Sequence, residues 1–107
     1  MSYSGHGSLD VWNGAILTSS DAANLTNREN LAIFVMMTCL NGYFQDPLAD
    51  GLAEALVKAE RGGAVAAWAS SGISAPGEQA VMNRELFRLM FNRGDGTALT
   101  IDRKSVV

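Results

Sequence analysis

The sequence predicts an α/β domain built on a parallel sheet, and three observations support this prediction. Residues 31–38 are almost wholly apolar and rich in bulky and β-branched side chains, as is typical of a strand buried on both faces. Residues 64–70 form a second apolar run, rich in alanine. A helical pattern follows each run after a short connection, and this alternation indicates parallel strands joined by right-handed crossovers.

Composition and charge exclude several classes of function. The chain has 107 residues, which is enough for one small domain and few for a complete α/β enzyme. The net charge of -3 and the lack of a basic cluster argue against binding to nucleic acid or to an anionic membrane. The single cysteine excludes an internal disulfide and a cysteine-based zinc site. No apolar run is long enough to span a membrane, and the first residues lack the pattern of a signal peptide.

The first third of the chain contains only short predicted elements. Residues 1–7 are polar, and His6 lies between two glycines, which indicates a turn. Residues 11–17 form either a short strand or an irregular connection. Ser20 and Asp21 then offer an N-cap for a helix of about one or two turns.

A second helix follows the strand at 31–38 and the polar turn after it. Its N-cap is either Asp46, before Pro47, or Asp50, before Gly51. The helix runs to about Glu60, and two glycines stop it. Its apolar residues form two rows at helical spacing, and an exposed ion pair joins two other positions: Leu52 with Leu56, Ala53 with Val57, and Glu54 with Lys58.

A third helix is predicted from Glu78 to about Asn92, ending near Gly94, after the buried strand at 64–70 and a loop at 71–77. Its apolar stripe is expected to face the core and consists of Met82, Leu86, Leu89 and Met90. The polar and basic residues 102–107 break the pattern. They match what one reading frame of a common sequencing adaptor would encode, so we expect a non-native tail on a native portion at 1–101.

The sole histidine and the sole cysteine are the candidates for chemistry. Cys39 lies where the strand at 31–38 ends, and ligands gather beyond the carboxyl ends of strands in open α/β sheets. If His6 follows a neighbouring strand, both side chains reach the same edge of the sheet. An imidazole can then take the proton of a thiol whose ordinary pKa is about 8.5. The alternative from composition is a packed cysteine and a histidine that belongs only to a turn.

Two ordered motifs resemble the active-site segments of gingipain-type cysteine peptidases. They are Gly5-His6-Gly7-Ser8 with Trp12, and Met36-Met37-Thr38-Cys39-Leu40-Asn41-Gly42-Tyr43-Phe44. Residues 52–56, 62–66 and 70–72 are similar to segments that follow in that family. The similarity extends from about Ser4 to Phe91, and the strand ending in Thr-Cys-Leu-x-Gly-Tyr-Phe is its most specific part.

This resemblance implies a caspase-like three-layer α/β fold with a mostly parallel sheet, of which the chain is an incomplete part. It implies Cys39 as nucleophile, His6 as general acid/base, and an oxyanion hole formed by the N–H groups of Gly7 and Cys39. The substrate would be a peptide or protein, with no cofactor, and the location secreted or at the cell surface. An acidic residue upstream of the His-Gly motif orients the histidine in the family. We therefore expect that this fragment is inactive alone and needs the missing N-terminal part of its own domain.

Other residues and other functions remain open at this point. Trp68, Ser70 and Ser71 could line a substrate pocket, although core packing is the favoured role for Trp68. Three carboxylates suggest a calcium site only weakly and are expected to serve as caps and surface groups: Asp46, Asp50 and Glu54. A catalytically silent caspase-like interaction module is the rival to the peptidase. Another thiol hydrolase or transferase with the same dyad is a third possibility.

Overall fold

The computed structural model describes residues 1–91 and confirms the α/β class. The elements in chain order are β1 (Ser2–Ser4), α1 (Ser19–Ala23), β2 (Ala32–Met37), α2 (Leu52–Lys58), β3 (Ala64–Ala69) and α3 (Pro76–Phe91). Short 3-10 turns lie at Asn13–Ala15 and Arg28–Asn30. The expected end of the third helix near Gly94 and the tail at 102–107 fall outside the described residues. No helix within 1–91 has the length and apolar character needed to cross a membrane.

The three strands form a parallel sheet in the order β1-β2-β3. The strand–helix alternation predicts the parallel pairing of β2 and β3, whereas the short strand β1 was only a condition for placing His6 beside Cys39. Ser4 at the end of β1 lies opposite Met37 at the end of β2. Met36 pairs with Ala69, the last residue of β3. The carboxyl ends of all three strands therefore meet at one edge of the sheet.

The central strand β2 is buried on both faces, as predicted. Successive side chains of a strand point to opposite faces. Phe34 and Met36 accordingly join one buried cluster, whereas Val35 and Met37 join another. Helices α1 and α2 cover the first face, and α3 covers the second, so the described residues form three layers.

Helix α1 begins earlier than the sequence predicts. Its N-cap is Thr18, and not Ser20 or Asp21. The Thr18 hydroxyl accepts a hydrogen bond from the Asp21 backbone N–H at 3.1 Å, and the Asp21 carboxylate accepts from the Thr18 backbone N–H at 3.0 Å. This reciprocal capping box satisfies two N–H groups that have no partner inside the helix.

Helix α2 begins at Leu52, so the start after Asp50 is correct and the start at Pro47 is wrong. Gly51 occupies the N-cap position, and its N–H donates to the Glu54 carboxylate at 3.0 Å. The helix ends at Lys58 instead of Glu60, because Ala59 leaves the helical conformation with ψ at 121°.

Two burial predictions are wrong. The run 64–70 was expected to be buried, but Val65 in β3 is 62% exposed because β3 lies at an edge of the described sheet. The apolar stripe of α3 was expected to lie in the core, but Met82 is 51% exposed. Leu86 is the buried apolar residue of that helix, and Met90 packs beside its cluster.

Candidate functional site

His6 and Cys39 each lie two residues beyond the end of adjacent parallel strands. His6 follows β1, which ends at Ser4, and Cys39 follows β2, which ends at Met37. The pairing of the two strands continues past β1, since the Gly5 N–H donates to the Met37 carbonyl at 3.2 Å. Both residues therefore leave the sheet at the same edge, with a single crossover between them.

The loop that carries His6, residues 5–13, is held by its own backbone and by aromatic stacking. The His6 carbonyl accepts from the Asn13 N–H at 2.9 Å and from the Tyr3 hydroxyl at 3.1 Å. The Tyr3 ring stacks on buried Trp12 with centroids 4.1 Å apart and planes 8° from parallel. His6 itself is exposed, at the rim of an open cavity of about 340 Å³. The fold thus fixes the backbone at His6 and leaves the imidazole accessible.

The loop that carries Cys39, residues 38–43, turns sharply after the thiol. Leu40 has φ at 59°, a left-handed conformation that is uncommon for a bulky residue and recurs at functional sites. Its N–H donates to the Gly72 carbonyl at 3.1 Å, which ties this turn to the loop after β3. The half-buried thiol of Cys39 donates to the Ser74 carbonyl at 3.5 Å. No hydrogen bond between Cys39 and His6 is present within residues 1–91.

The backbone N–H groups of Gly7 and Cys39 donate no hydrogen bond to the described part of the protein. Backbone donors usually have partners, so two N–H groups without one are notable in loops that follow adjacent strands. Gly7 also permits the close approach of the two loops. A Cβ atom at this position would lie 3.1 Å from the Thr38 Cβ and 3.0 Å from the Val11 carbonyl oxygen.

Asn41 is a buried site residue that the sequence does not reveal. Its amide accepts hydrogen bonds from the Trp12 indole N–H at 3.0 Å and from the Thr38 hydroxyl, and it donates to the Ser8 carbonyl. An Asn-Gly pair after a strand indicates an exposed turn. The sequence signal for the burial of Asn41 is indirect: a buried tryptophan such as Trp12 needs an acceptor for its indole N–H, and an asparagine can supply one.

The three candidate pocket residues do not line one common pocket. Trp68 packs against the Val35–Met37–Leu86 cluster on the α3 face, in the packing role that the sequence favours. The Ser70 hydroxyl donates to the Gly72 carbonyl at 2.9 Å. Ser71 borders an apolar groove of about 530 Å³ that also includes Phe44 and Val57. Their role in substrate binding stays a prediction.

The acidic residues of the 46–54 segment serve as caps and surface groups. Asp46 accepts from the backbone N–H groups of Leu48 and Ala49. Asp50 bonds Lys58 at 2.7 Å, and this hydrogen bond raises the pKa of the lysine. The Glu54 carboxylate lies 3.5 Å from the Lys58 ammonium, and it also accepts the Gly51 N–H at the N-terminus of α2. Among residues 1–91, no group of three or more His, Cys, Asp or Glu side chains could hold a metal ion.

Comparison with known proteins identifies the family. A family model described as Peptidase family C25 matches residues 1–103, which is nearly the whole chain. The comparisons with curated proteins and with solved structures gave no match. The match agrees with the parallel α/β sheet and with the two motifs around His6 and Cys39. The chain belongs to peptidase family C25, the gingipain family of cysteine peptidases, whose fold is caspase-like.

Proposed function

We propose that the chain forms the catalytic edge of a cysteine-type endopeptidase, with Cys39 as nucleophile and His6 as general acid/base. The observation that carries this proposal is the position of both residues after adjacent parallel strands, at one edge of the sheet. Membership of family C25 supports the reaction class. The substrates are peptides or proteins.

The proposed reaction begins when the Cys39 thiol leaves the Ser74 carbonyl and turns toward His6. The imidazole takes the thiol proton, and the thiolate attacks the carbonyl carbon of the scissile peptide bond. The unpaired N–H groups of Gly7 and Cys39 stabilise the resulting oxyanion. His6 then returns the proton to the departing amine, which leaves a thioester on Cys39. A water molecule, deprotonated by His6, hydrolyses this thioester and frees the thiol.

We further propose that residues 1–101 are the C-terminal part of a caspase-like catalytic domain, followed by a non-native tail at 102–107. In this account an upstream segment supplies the carboxylate that orients His6. Within residues 1–91, no carboxylate bonds to that imidazole. Secretion or display at the cell surface follows from the family alone. Resequencing the source DNA tests the tail, because a native frame that continues through codons 102–107 would contradict it.

The rival function is a catalytically silent interaction module on the same fold. One observation favours it: the thiol of Cys39 bonds the Ser74 carbonyl, with no bond to His6. This observation has less weight than the shared strand edge, because catalytic hydrogen bonds often tighten only when substrate binds.

Peptide cleavage tests the proposal. The 107-residue chain, and the longer polypeptide that its source DNA encodes, are incubated with a mixture of unstructured peptides. We expect the longer polypeptide to give cleavage products and a trapped acyl adduct on Cys39 by mass spectrometry, both lost in Cys39→Ala and His6→Ala, and we expect no cleavage by the 107-residue chain alone. Cleavage of thioesters or esters without peptide cleavage would instead support another thiol hydrolase. Failure of the longer polypeptide to cleave any substrate would contradict the enzyme and favour the silent module.

A further inference from the structure

The amide of Asn41 connects the two loops of the proposed site from beneath. Asn41 and Thr38 are both fully buried. On the Cys39 side, the amide oxygen accepts from the Thr38 hydroxyl. On the His6 side, the same oxygen accepts from Trp12, and the amide nitrogen donates to the Ser8 carbonyl. A single side chain therefore satisfies polar groups of both loops.

Burial makes these hydrogen bonds consequential. A buried polar group without a partner destabilises the fold, and hydrogen bonds are stronger in the low dielectric of an interior. The Trp12 indole N–H and the Thr38 hydroxyl both donate to the Asn41 side chain, on opposite sides of the contact between the loops. A shift of one loop against the other would leave the Trp12 indole N–H unpaired, whereas the Thr38 hydroxyl holds the Asn41 amide in place from within its own loop.

The backbone around Asn41 holds the residue in place. The left-handed turn at Leu40 directs the chain back under the site. The Asn41 carbonyl accepts from the Ala53 N–H at 2.9 Å, and the Leu9 carbonyl accepts from the Leu52 N–H at 2.9 Å. The first turn of α2 thus holds both loops through their backbones, while the amide joins them to each other.

We propose that Asn41 is a positioning residue: through Trp12 and Thr38, its amide sets the placement of the His6 loop relative to Cys39. This inference rests on the proposed function, because the relative placement matters only if the imidazole acts on the thiol. A misplacement of about 1 Å can cost about 100-fold in rate. Core packing alone would affect folding but not the pH dependence of Cys39.

Two substitutions remove one donor each, Thr38→Val with little change in volume and Trp12→Phe with a smaller ring, for which a packing control is needed. Trp12→Phe deletes the indole N–H but keeps an aromatic ring for stacking on Tyr3. Thr38→Val deletes the hydroxyl with nearly the same volume. The matched control is Phe34→Leu, which loosens the same buried cluster at a ring 6.5 Å from Trp12 and removes no hydrogen bond.

The readout is the rate of Cys39 alkylation by iodoacetamide against pH, in the longer polypeptide that the source DNA encodes. Its alkylation rate is measured first with His6 intact and then in the His6→Ala variant, and the difference is the His6-dependent rate. We expect each donor-deleting variant to lose at least about tenfold of the His6-dependent rate near pH 6.5, with its profile shifted toward that of an ordinary thiol. Phe34→Leu should keep the profile even where it lowers the free energy of unfolding. The double variant should be non-additive, since both donors act through one amide.

The outcomes separate this inference from the proposed function. If His6→Ala alone leaves the pH profile of Cys39 alkylation unchanged, the dyad is contradicted, and the positioning role with it. A His6-dependent profile that survives both Trp12→Phe and Thr38→Val contradicts the positioning role alone. Equal losses in Phe34→Leu would show that general packing, and not the Asn41 amide, sets the geometry. If one donor variant fails to fold, the other carries the test.

Discussion

The two faces of β2 differ in how completely they are covered. The face that carries Phe34 and Met36 lies under α1, α2 and the indole of Trp12, and several residues there are fully buried. The face that carries Val35 and Met37 has one further buried apolar residue, Leu86 of α3. The better-packed face also contains the contact between the His6 and Cys39 loops. The sheet is therefore most completely packed on the face beneath the proposed chemistry.

The strongest test of this difference is Leu56→Ala on the better-packed face. Leu56 is fully buried between α2 and the sheet. We expect a loss of about 4 kcal/mol in the free energy of unfolding, because the truncation leaves a cavity among neighbours that cannot collapse. Urea denaturation followed by circular dichroism measures it. A loss below about 1 kcal/mol would contradict the account of this face.

The matched change on the other face is Leu86→Ala. It removes the same atoms from a smaller buried cluster, made of Val35, Met37 and Leu86, whose surrounding hydrophobic residues are partly exposed. We expect a smaller loss, about 2 kcal/mol, since α3 can relax toward the sheet. The comparison fails if Leu86→Ala costs as much as Leu56→Ala in the same denaturation series.

A smaller effect is expected at the N-terminus of α1, which packs on the better-packed face of the sheet. Thr18→Ala removes the hydroxyl that caps the Asp21 N–H and should cost about 1 kcal/mol. Ser20→Ala is the control, because Ser20 is an exposed residue of the same helix that does not occupy the cap. Similar losses in the two variants would mean that the capping box adds nothing specific.

The smallest predicted effect is a pH dependence from the same capping box. The Thr18 hydroxyl and then the Thr18 backbone N–H lower the pKa of Asp21, since both donate to its carboxylate. A carboxyl whose pKa is lower in the folded state stabilises the fold above its unfolded pKa of about 4. This stabilisation is lost as the pH falls through the lower pKa that Asp21 has in the folded state. Asp21→Asn should therefore show a flatter stability curve below about pH 4 than the unsubstituted chain.

The features that the sequence predicted correctly depend on local pattern. The apolar run before Cys39 indicates a strand buried on both faces, and β2 is such a strand. Strand–helix alternation was sufficient to predict the parallel pairing of β2 and β3. The β1–β2 pairing that brings His6 and Cys39 to one edge was expected only on the condition that a strand precedes His6. The two motifs were sufficient to predict the family.

The features that it missed depend on tertiary context. Val65 lies in a run that looks buried, but β3 is an edge strand of the described sheet, and strand order is not a local property. Asn41 follows the rules for an exposed turn, but Trp12 and Thr38 enclose it. The contact of the thiol with the Ser74 carbonyl likewise joins segments that are distant in the chain.

The most direct test of the central claim is the alkylation rate of Cys39 against pH in the longer polypeptide that the source DNA encodes and in its His6→Ala variant. A Cys39–His6 dyad predicts a reactive thiolate well below pH 8 that disappears in the variant, because the imidazole accepts the thiol proton. Slow alkylation with an ordinary thiol titration near pH 8.5, unchanged by His6→Ala, would contradict the dyad and make Cys39 a structural residue.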